Sequence, residues 1–207
     1  MDPLDTVFLI VVLIFSAVIH EVMHGVAADR LGDHTARYAG RLTLNPIPHI
    51  DLFGSILLPS ILALSGTPFL FAWAKPVPYN PYNLKPGRFS EAIVAAAGPL
   101  SNLAIALACA LLVRFSVFPG ISSVLFFIVV VNVMLFVFNL IPIPPLDGSK
   151  VIEAFIPRSL QHGYRTWRDN IERNPFLGMG LILLIVLLAG DIYGSFIYSL
   201  AQRLAGM

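Results

Sequence analysis

Apolar residues in this chain come in blocks long enough to cross a bilayer. The first block covers residues 7–28 and is closed by Asp29 and Arg30. A second, residues 52–73, is interrupted by Pro59 and by Ser65-Gly66-Thr67-Pro68. Residues 92–113, about 121–141 and about 176–200 form three more, the last with Asp191 inside it. A spanning helix needs about 20 predominantly apolar residues, so the pattern predicts four to five transmembrane helices. The segments between the blocks differ in kind. Residues 36–46 carry Thr43, Tyr38 and mixed polarity ahead of Asn45-Pro46, which predicts a short interfacial β-hairpin or edge strand. Residues 75–88 hold four prolines and three basic residues and read as a loop. Residues 157–174 place Arg158, Arg165, Arg168 and Arg173 beside Tyr164 and Trp167. That mixture suits either a segment lying in the membrane interface or a solvated loop.

Composition agrees with this picture. The 207 residues are 57% hydrophobic and 12% charged, against about 25% charged in an ordinary soluble domain. So few charges cannot cover a water-facing surface, which excludes a soluble enzyme or a nucleic-acid-binding domain. A net charge of +1 implies no polyanionic partner. Cys109 is the only cysteine and is expected to pack among its Leu and Val neighbours. No Lys or Arg precedes the first apolar block, so it is a poor secretory signal and is expected to be retained. A single integral-membrane domain over residues 1–207 is expected, with a core of about 7–156 and a C-terminal helix of about 176–200.

The distribution of Lys and Arg refines the topology. If the broken block 52–73 enters and leaves on one side, only Arg114 and Arg203 of the 13 Lys and Arg residues fall outside. A full crossing divides the 13 Lys and Arg residues five inside and eight outside, a poor bias in either orientation. The positive-inside rule therefore favours four full crossings and one re-entrant segment, with the N-terminus outside. Irregular backbone at membrane depth must be covered by protein or line a wet cavity.

The first block contains His20-Glu21-Val22-Met23-His24. Residues four apart share a helix face, so His20 and His24 can grip one metal ion. Glu21 sits about 100° around the helix, within reach of water activated at that metal. Charged groups at this depth cost about 2.5–3.5 kcal/mol each on insertion scales, so three ionisable residues together need a reason. A catalytic zinc usually has three protein ligands. Asp147 is one candidate for the third, in Asn139-Leu140-Ile141-Pro142-Ile143-Pro144-Pro145-Leu146-Asp147-Gly148. The prolines deny this stretch a regular helix and could turn Asp147 and Asn139 inward. Spacing alone equally allows a loop aspartate capping the next helix. His49 and Asp51 read as loop or supporting residues, and His34 and His162 as surface residues.

His20-Glu21-x-x-His24 in a membrane helix, Gly98-Pro99-Leu100-Ser101-Asn102 in the third block, and Asn139 through Leu146-Asp147-Gly148 at the end of the fourth resemble the site-2 protease family of intramembrane zinc metalloproteases. The resemblance runs from about residue 7 to 156. Residues 45–51, 54–59 and 76–81 are similar to its small prokaryotic members, which lack PDZ-like and CBS-like modules. The resemblance implies one Zn2+ per chain held by His20, His24 and Asp147, with Glu21 as general base. It also implies a substrate-facing role for Asn139 and a weaker one for Asn102. The implied activity is hydrolysis of peptide bonds in or near the transmembrane segment of a protein substrate. The setting is a prokaryotic cell membrane, with the site nearer the cytosolic side. Local unwinding of such a substrate would free backbone groups that an edge strand at residues 36–44 could pair. Two rivals arise from the same residues. One is a membrane metallopeptidase that cuts soluble peptides at the cytosolic face, with Glu153 as its third ligand. The other is a non-catalytic membrane zinc-binding protein, in which Glu21 has no task.

Overall fold

The computed structural model describes residues 3–57, 61 and 74–207, and these are helical or irregular. Among the described residues, four helices are long and apolar enough to cross a membrane: Val7–Arg30, Ser90–Arg114, Pro119–Asn139 and Phe176–Ala205. The chain is therefore an integral membrane protein, all-helical among the described residues. Most of the expected re-entrant segment, at 58–60 and 62–73, lies outside the described residues. The chain divides into two compact units, Met1–Pro86 and Gly87–Met207.

The first unit is built on helix α1 (Pro3–Arg30). Val7, Ile10, Val11, Ile14 and Phe15 are exposed on it, whereas Val12, Ser16, Val18, His20, Val22 and His24 are buried. A helix of apolar composition thus presents an aliphatic face outward and turns its polar residues inward. Gly32, at φ +105°, ends the turn after α1, and a short helix α2 (Thr35–Tyr38) comes next.

The expected β-hairpin at residues 36–46 is not formed; no strand occurs among the described residues. Local helical bonds win instead, with Tyr38 N–H donating to His34 C=O and Ala39 N–H to Thr35 C=O, both at 3.0 Å. Gly40, at φ +64°, stops that turn as only a residue without a Cβ does easily. The idea of substrate pairing with an edge strand at 36–44 loses its basis with the strand. Side chains hold the irregular stretch from Arg41 to Asp51. Arg41 is buried and donates to Lys75 C=O at 2.7 Å. Its other contact is His49 Nδ1 at 3.4 Å, and His49 Nε2 donates to Thr43 C=O at 3.0 Å. Asp51 caps the π-helical turn Leu52–Leu57, accepting from Gly54 N–H at 2.6 Å.

In the second unit, α3 (Ser90–Arg114), α4 (Ser122–Asn139) and α7 (Pro175–Ala205) pack around Ala106, Ala110, Val129, Val133, Ile197 and Ala201. Small residues on two of the three helices let the backbones approach closely, which drives helix association in lipid. Gly206 abuts the Arg114 side chain, so α3 and α7 end at the same side. Two short helices, α5 (Asp147–Glu153) and α6 (Arg158–Glu172), lie between α4 and α7 in the chain. Residues 157–174, for which interfacial and loop readings both stood, are thus mostly an amphipathic helix. Asp191 is exposed on α7.

Candidate metallopeptidase site

The expected site residues fall in both units. His20, Glu21 and His24 belong to the first; Asn102, Asn139 and Asp147 belong to the second.

Both histidines lie on the inward face of α1, with relative exposures of 6% and 9%. Their rings meet edge to face, centroids 4.6 Å apart, and their Nε2 atoms are 3.0 Å apart. Two imidazoles bound to one tetrahedral zinc at about 2.0–2.1 Å would hold their nitrogens about 3.3 Å apart. The observed pair needs to open by only a few tenths of an ångström, so the donors fit such a metal. Glu21 is fixed from outside the helix: its Oε2 accepts the Val77 N–H at 2.8 Å.

Val77 lies in Lys75-Pro76-Val77-Pro78, an extended stretch whose flanking prolines hold it rigid. Three anchors locate the wider segment 75–85. Lys75 N–H donates to His49 C=O at 2.8 Å, Lys85 N–H donates to Leu31 C=O at 2.7 Å, and Asp33 gathers the residues between them. Asp33 is wholly buried and accepts from Thr35 N–H and Oγ1, Asn80 N–H and Asn83 Nδ2. Burial works to raise the Asp33 pKa, but the hydrogen bonds from Thr35, Asn80 and Asn83 outweigh it and hold the carboxyl below its ordinary range. The Glu21–Val77 contact and those of Asp33 with Asn80 and Asn83 were invisible in the sequence, because they join residues dozens of positions apart.

In the second unit α4 ends at Asn139, and Pro142, Pro144 and Pro145 keep the next stretch out of a helix. Asp147 is the first residue of α5 and is partly buried. Gly148 explains why the aspartate is followed by glycine. A Cβ there would lie 2.3 Å from the Leu140 carbonyl oxygen and 2.5 Å from that of Ile141. Asn139 Nδ2 donates to Leu135 C=O at 2.9 Å. Asn102, wholly buried, donates through Nδ2 to Asn132 Oδ1 at 3.0 Å, and so ties α3 to α4. Asn132, missed in the sequence, lies two helical turns before Asn139 and so shares its face of α4.

Glu153 is committed elsewhere. It is 5% exposed. Its Oε1 accepts from Arg165 Nε at 2.8 Å and from Arg165 NH2, and its Oε2 accepts from Arg168 NH1 at 2.5 Å. Arg168 also faces Glu91 at 3.3 Å. Burial disfavours the charge on Arg168, yet Glu91, Glu153, Glu172 and Asp169 outweigh it and push its pKa above the ordinary value. A glutamate with both oxygens taken by arginines is poorly placed to become a third metal ligand.

A paired-histidine face with an adjacent glutamate, carried on a membrane-spanning helix, defines a membrane metallopeptidase. Comparison with known proteins narrows the class. Residues 114–187 match the description "Peptidase family M50". YwhC of Bacillus subtilis, named as an inferred zinc metalloprotease, is 38% identical over 72% of this chain and 69% of its own length. Rip2 of Mycolicibacterium smegmatis, named in the same way, is 31% identical over 88% of this chain and 67% of its own. No solved structure matches at a significant level. The chain belongs to peptidase family M50, the site-2 protease family of zinc metalloproteases, whose substrates are proteins.

Proposed function

We propose that this protein is a zinc-dependent intramembrane endopeptidase that hydrolyses peptide bonds in or beside transmembrane segments of membrane proteins. The observation that carries the reading is the buried His20–His24 pair on a helix able to span the bilayer. A peptidase for soluble peptides has no need to carry its metal-binding residues on the inward face of a helix that spans the bilayer. His20, His24 and Asp147 hold one zinc per chain, within a single catalytic domain. The commitment of Glu153 to Arg165 and Arg168 supports Asp147 over the alternative ligand.

Bound zinc supplies Lewis acidity, polarising a carbonyl and acidifying water. The chain does the rest. Glu21 takes the proton of the attacking water and returns it to the leaving amine. Its Oε2 is held by Val77, which leaves Oε1 to move the proton and fixes the carboxylate rotamer. Asn139 faces the substrate. Asn102 contributes through Asn132, by setting the position of the α4 face that carries both Asn132 and Asn139. The basic ends of the spans in the second unit, marked by Arg88, Lys150, Arg158 and Arg173, lie at the cytosolic side of a prokaryotic membrane.

Zinc per chain, measured on detergent-purified protein together with cleavage of a transmembrane peptide, tests this. Wild type is expected to hold stoichiometric zinc, Asp147→Ala to lose most of it, and Glu21→Gln to keep zinc while losing cleavage. Zinc retention indifferent to Asp147 removes it from the ligand set. Preferential cleavage of a soluble peptide overturns the intramembrane assignment.

A further inference from the structure

We propose that the second unit carries a binding site for the phosphate of a phospholipid headgroup, separate from the metal-binding residues. The site is a cleft of about 130 Å3 at the start of α3, with Arg88, Glu91, Lys150, Glu153, Gln161 and Arg165 in its walls. Three cations line it. Both carboxylates are already engaged by arginines: Glu153 by Arg165 and Arg168, and Glu91 by Arg168. Lys150 in turn stands 3.9 Å from Glu172, which leaves Arg88 as the cation of this wall outside any ion pair among the described residues.

Arg88 is the decisive group. Its Nε donates to Ala154 C=O at 2.6 Å and its NH2 to Ile156 C=O at 3.1 Å. It has no carboxylate partner among the described residues. The two carbonyls belong to the end of α5 and the turn after it, so they fix the guanidinium plane and leave its charge uncompensated. Gln161 Nε2 reaches the Glu153 and Ile156 carbonyls at 3.2 Å each and closes the same wall. A guanidinium oriented in this way offers its remaining N–H groups to an acceptor of phosphate geometry.

Its position selects a lipid as the source of that phosphate. Arg88 stands two residues before a membrane-spanning helix, at the depth where headgroups lie. Beside it Phe89 and Phe155 pack ring to ring, centroids 5.9 Å apart, and remain 49% and 64% exposed. Leu160 is 63% exposed on α6. Aromatic and aliphatic side chains next to an uncompensated cation suit the junction of headgroup and acyl chain.

Native mass spectrometry of the full chain in detergent tests the site, using dioleoyl-phosphatidylglycerol, dioleoyl-phosphatidylcholine and inorganic phosphate as probes. Wild type is expected to retain one phosphatidylglycerol saturably and in preference to phosphatidylcholine. Arg88→Gln should weaken that retention by about fivefold, the worth of one basic residue at an anionic surface. Arg88→Lys, which keeps the charge but not the oriented guanidinium, should retain more than Arg88→Gln and less than wild type. Thermal unfolding of each variant separates lost binding from lost fold. If Arg88→Gln unfolds, the comparison passes to Lys150→Gln. Equal retention of the two lipids, or retention unchanged in folded Arg88→Gln or Lys150→Gln, overturns the proposal. Inorganic phosphate that displaces the lipid completely at equal concentration overturns the choice of a lipid ligand.

Discussion

Gly25, directly after the second histidine, tests how Glu21 is positioned. A Cβ at residue 25 would lie 2.6 Å from Leu42 Cδ2, 2.8 Å from Val77 Cγ1 and 3.2 Å from Ala36 Cβ. Ordinary carbon contacts are about 3.5–4.0 Å, so the first two neighbours must recede by most of an ångström. The end of a leucine can swing aside. Val77 cannot do so easily, because it is β-branched, buried and flanked by Pro76 and Pro78. Its main chain must move, and with it the N–H that holds Glu21 at 2.8 Å. Overpacking costs about 1–3 kcal/mol, while replacing glycine by alanine within a helix returns about 1 kcal/mol. Gly25→Ala should therefore destabilise the protein by up to about 2 kcal/mol, with a fall in unfolding temperature of up to about 8 °C at this chain length. Cleavage should fall further than stability explains, because a bond to a carboxylate is worth about 1.5–3 kcal/mol. Val77→Ala removes the obstructing Cγ1 and keeps the N–H. The double variant should therefore be more stable than the sum of the singles predicts, by about 1 kcal/mol. Thermal unfolding and transmembrane-peptide cleavage on all four proteins measure the cycle. Strict additivity, or a Gly25→Ala protein as stable and active as wild type, refutes the argument.

Buried charges yield two further expected outcomes. The folded pKa of Asp33 lies below its unfolded value. Its stabilisation is therefore present above the unfolded pKa and is lost as pH falls through the folded one. Acid unfolding curves of wild type and Asp33→Asn should converge at low pH and separate toward neutrality, and a constant gap counts against the assignment. Arg168→Met leaves Glu153 buried with one of its two cations gone, and should cost about 3–5 kcal/mol. Arg168→Met combined with Glu153→Gln should recover part of that loss in chemical denaturation. A double variant as unstable as the sum of the singles would show that the pair is not coupled.

The spans were legible because each is a local property of about 20 residues, and the ends of α3 and α4 fell close to their apolar blocks. The paired histidines were legible because a four-residue spacing fixes them on one face of any helix. The hairpin was misread because Thr43 and Tyr38 favour strands only where a partner strand exists. Here a buried Ala36 and a left-handed Gly40 close a helical turn first. His49, expected in a loop or supporting role, instead ends a 3-10 turn, buried in contact with Arg41, and Asp51 caps the turn that follows. Asn102 was found from its motif, but its hydrogen bond to Asn132 could not be, since nothing local marks which polar residue of α4 faces α3.

Asp147 and Glu153 sit at opposite ends of α5 in different surroundings. In the sequence both are acidic residues near the end of the fourth block, six positions apart, on what becomes one short helix. Their neighbours separate them physically. Gly148 lets the chain at Asp147 fold back against the Leu140 and Ile141 carbonyls, closer than any side chain would permit. That contact sets where α5 begins, and so where its first carboxylate stands. At the other end, the charged Arg165 and Arg168 engage both carboxylate oxygens of Glu153 and bind α6 to α5. A metal taking Glu153 would have to displace two arginines and leave Arg168 with an unmatched share of its charge in a buried position. That penalty is of the same order as the Arg168→Met loss. Glu153 therefore anchors α5 to α6, and the proposal that Asp147 at the opposite end supplies the third ligand asks neither arginine to give up its partner.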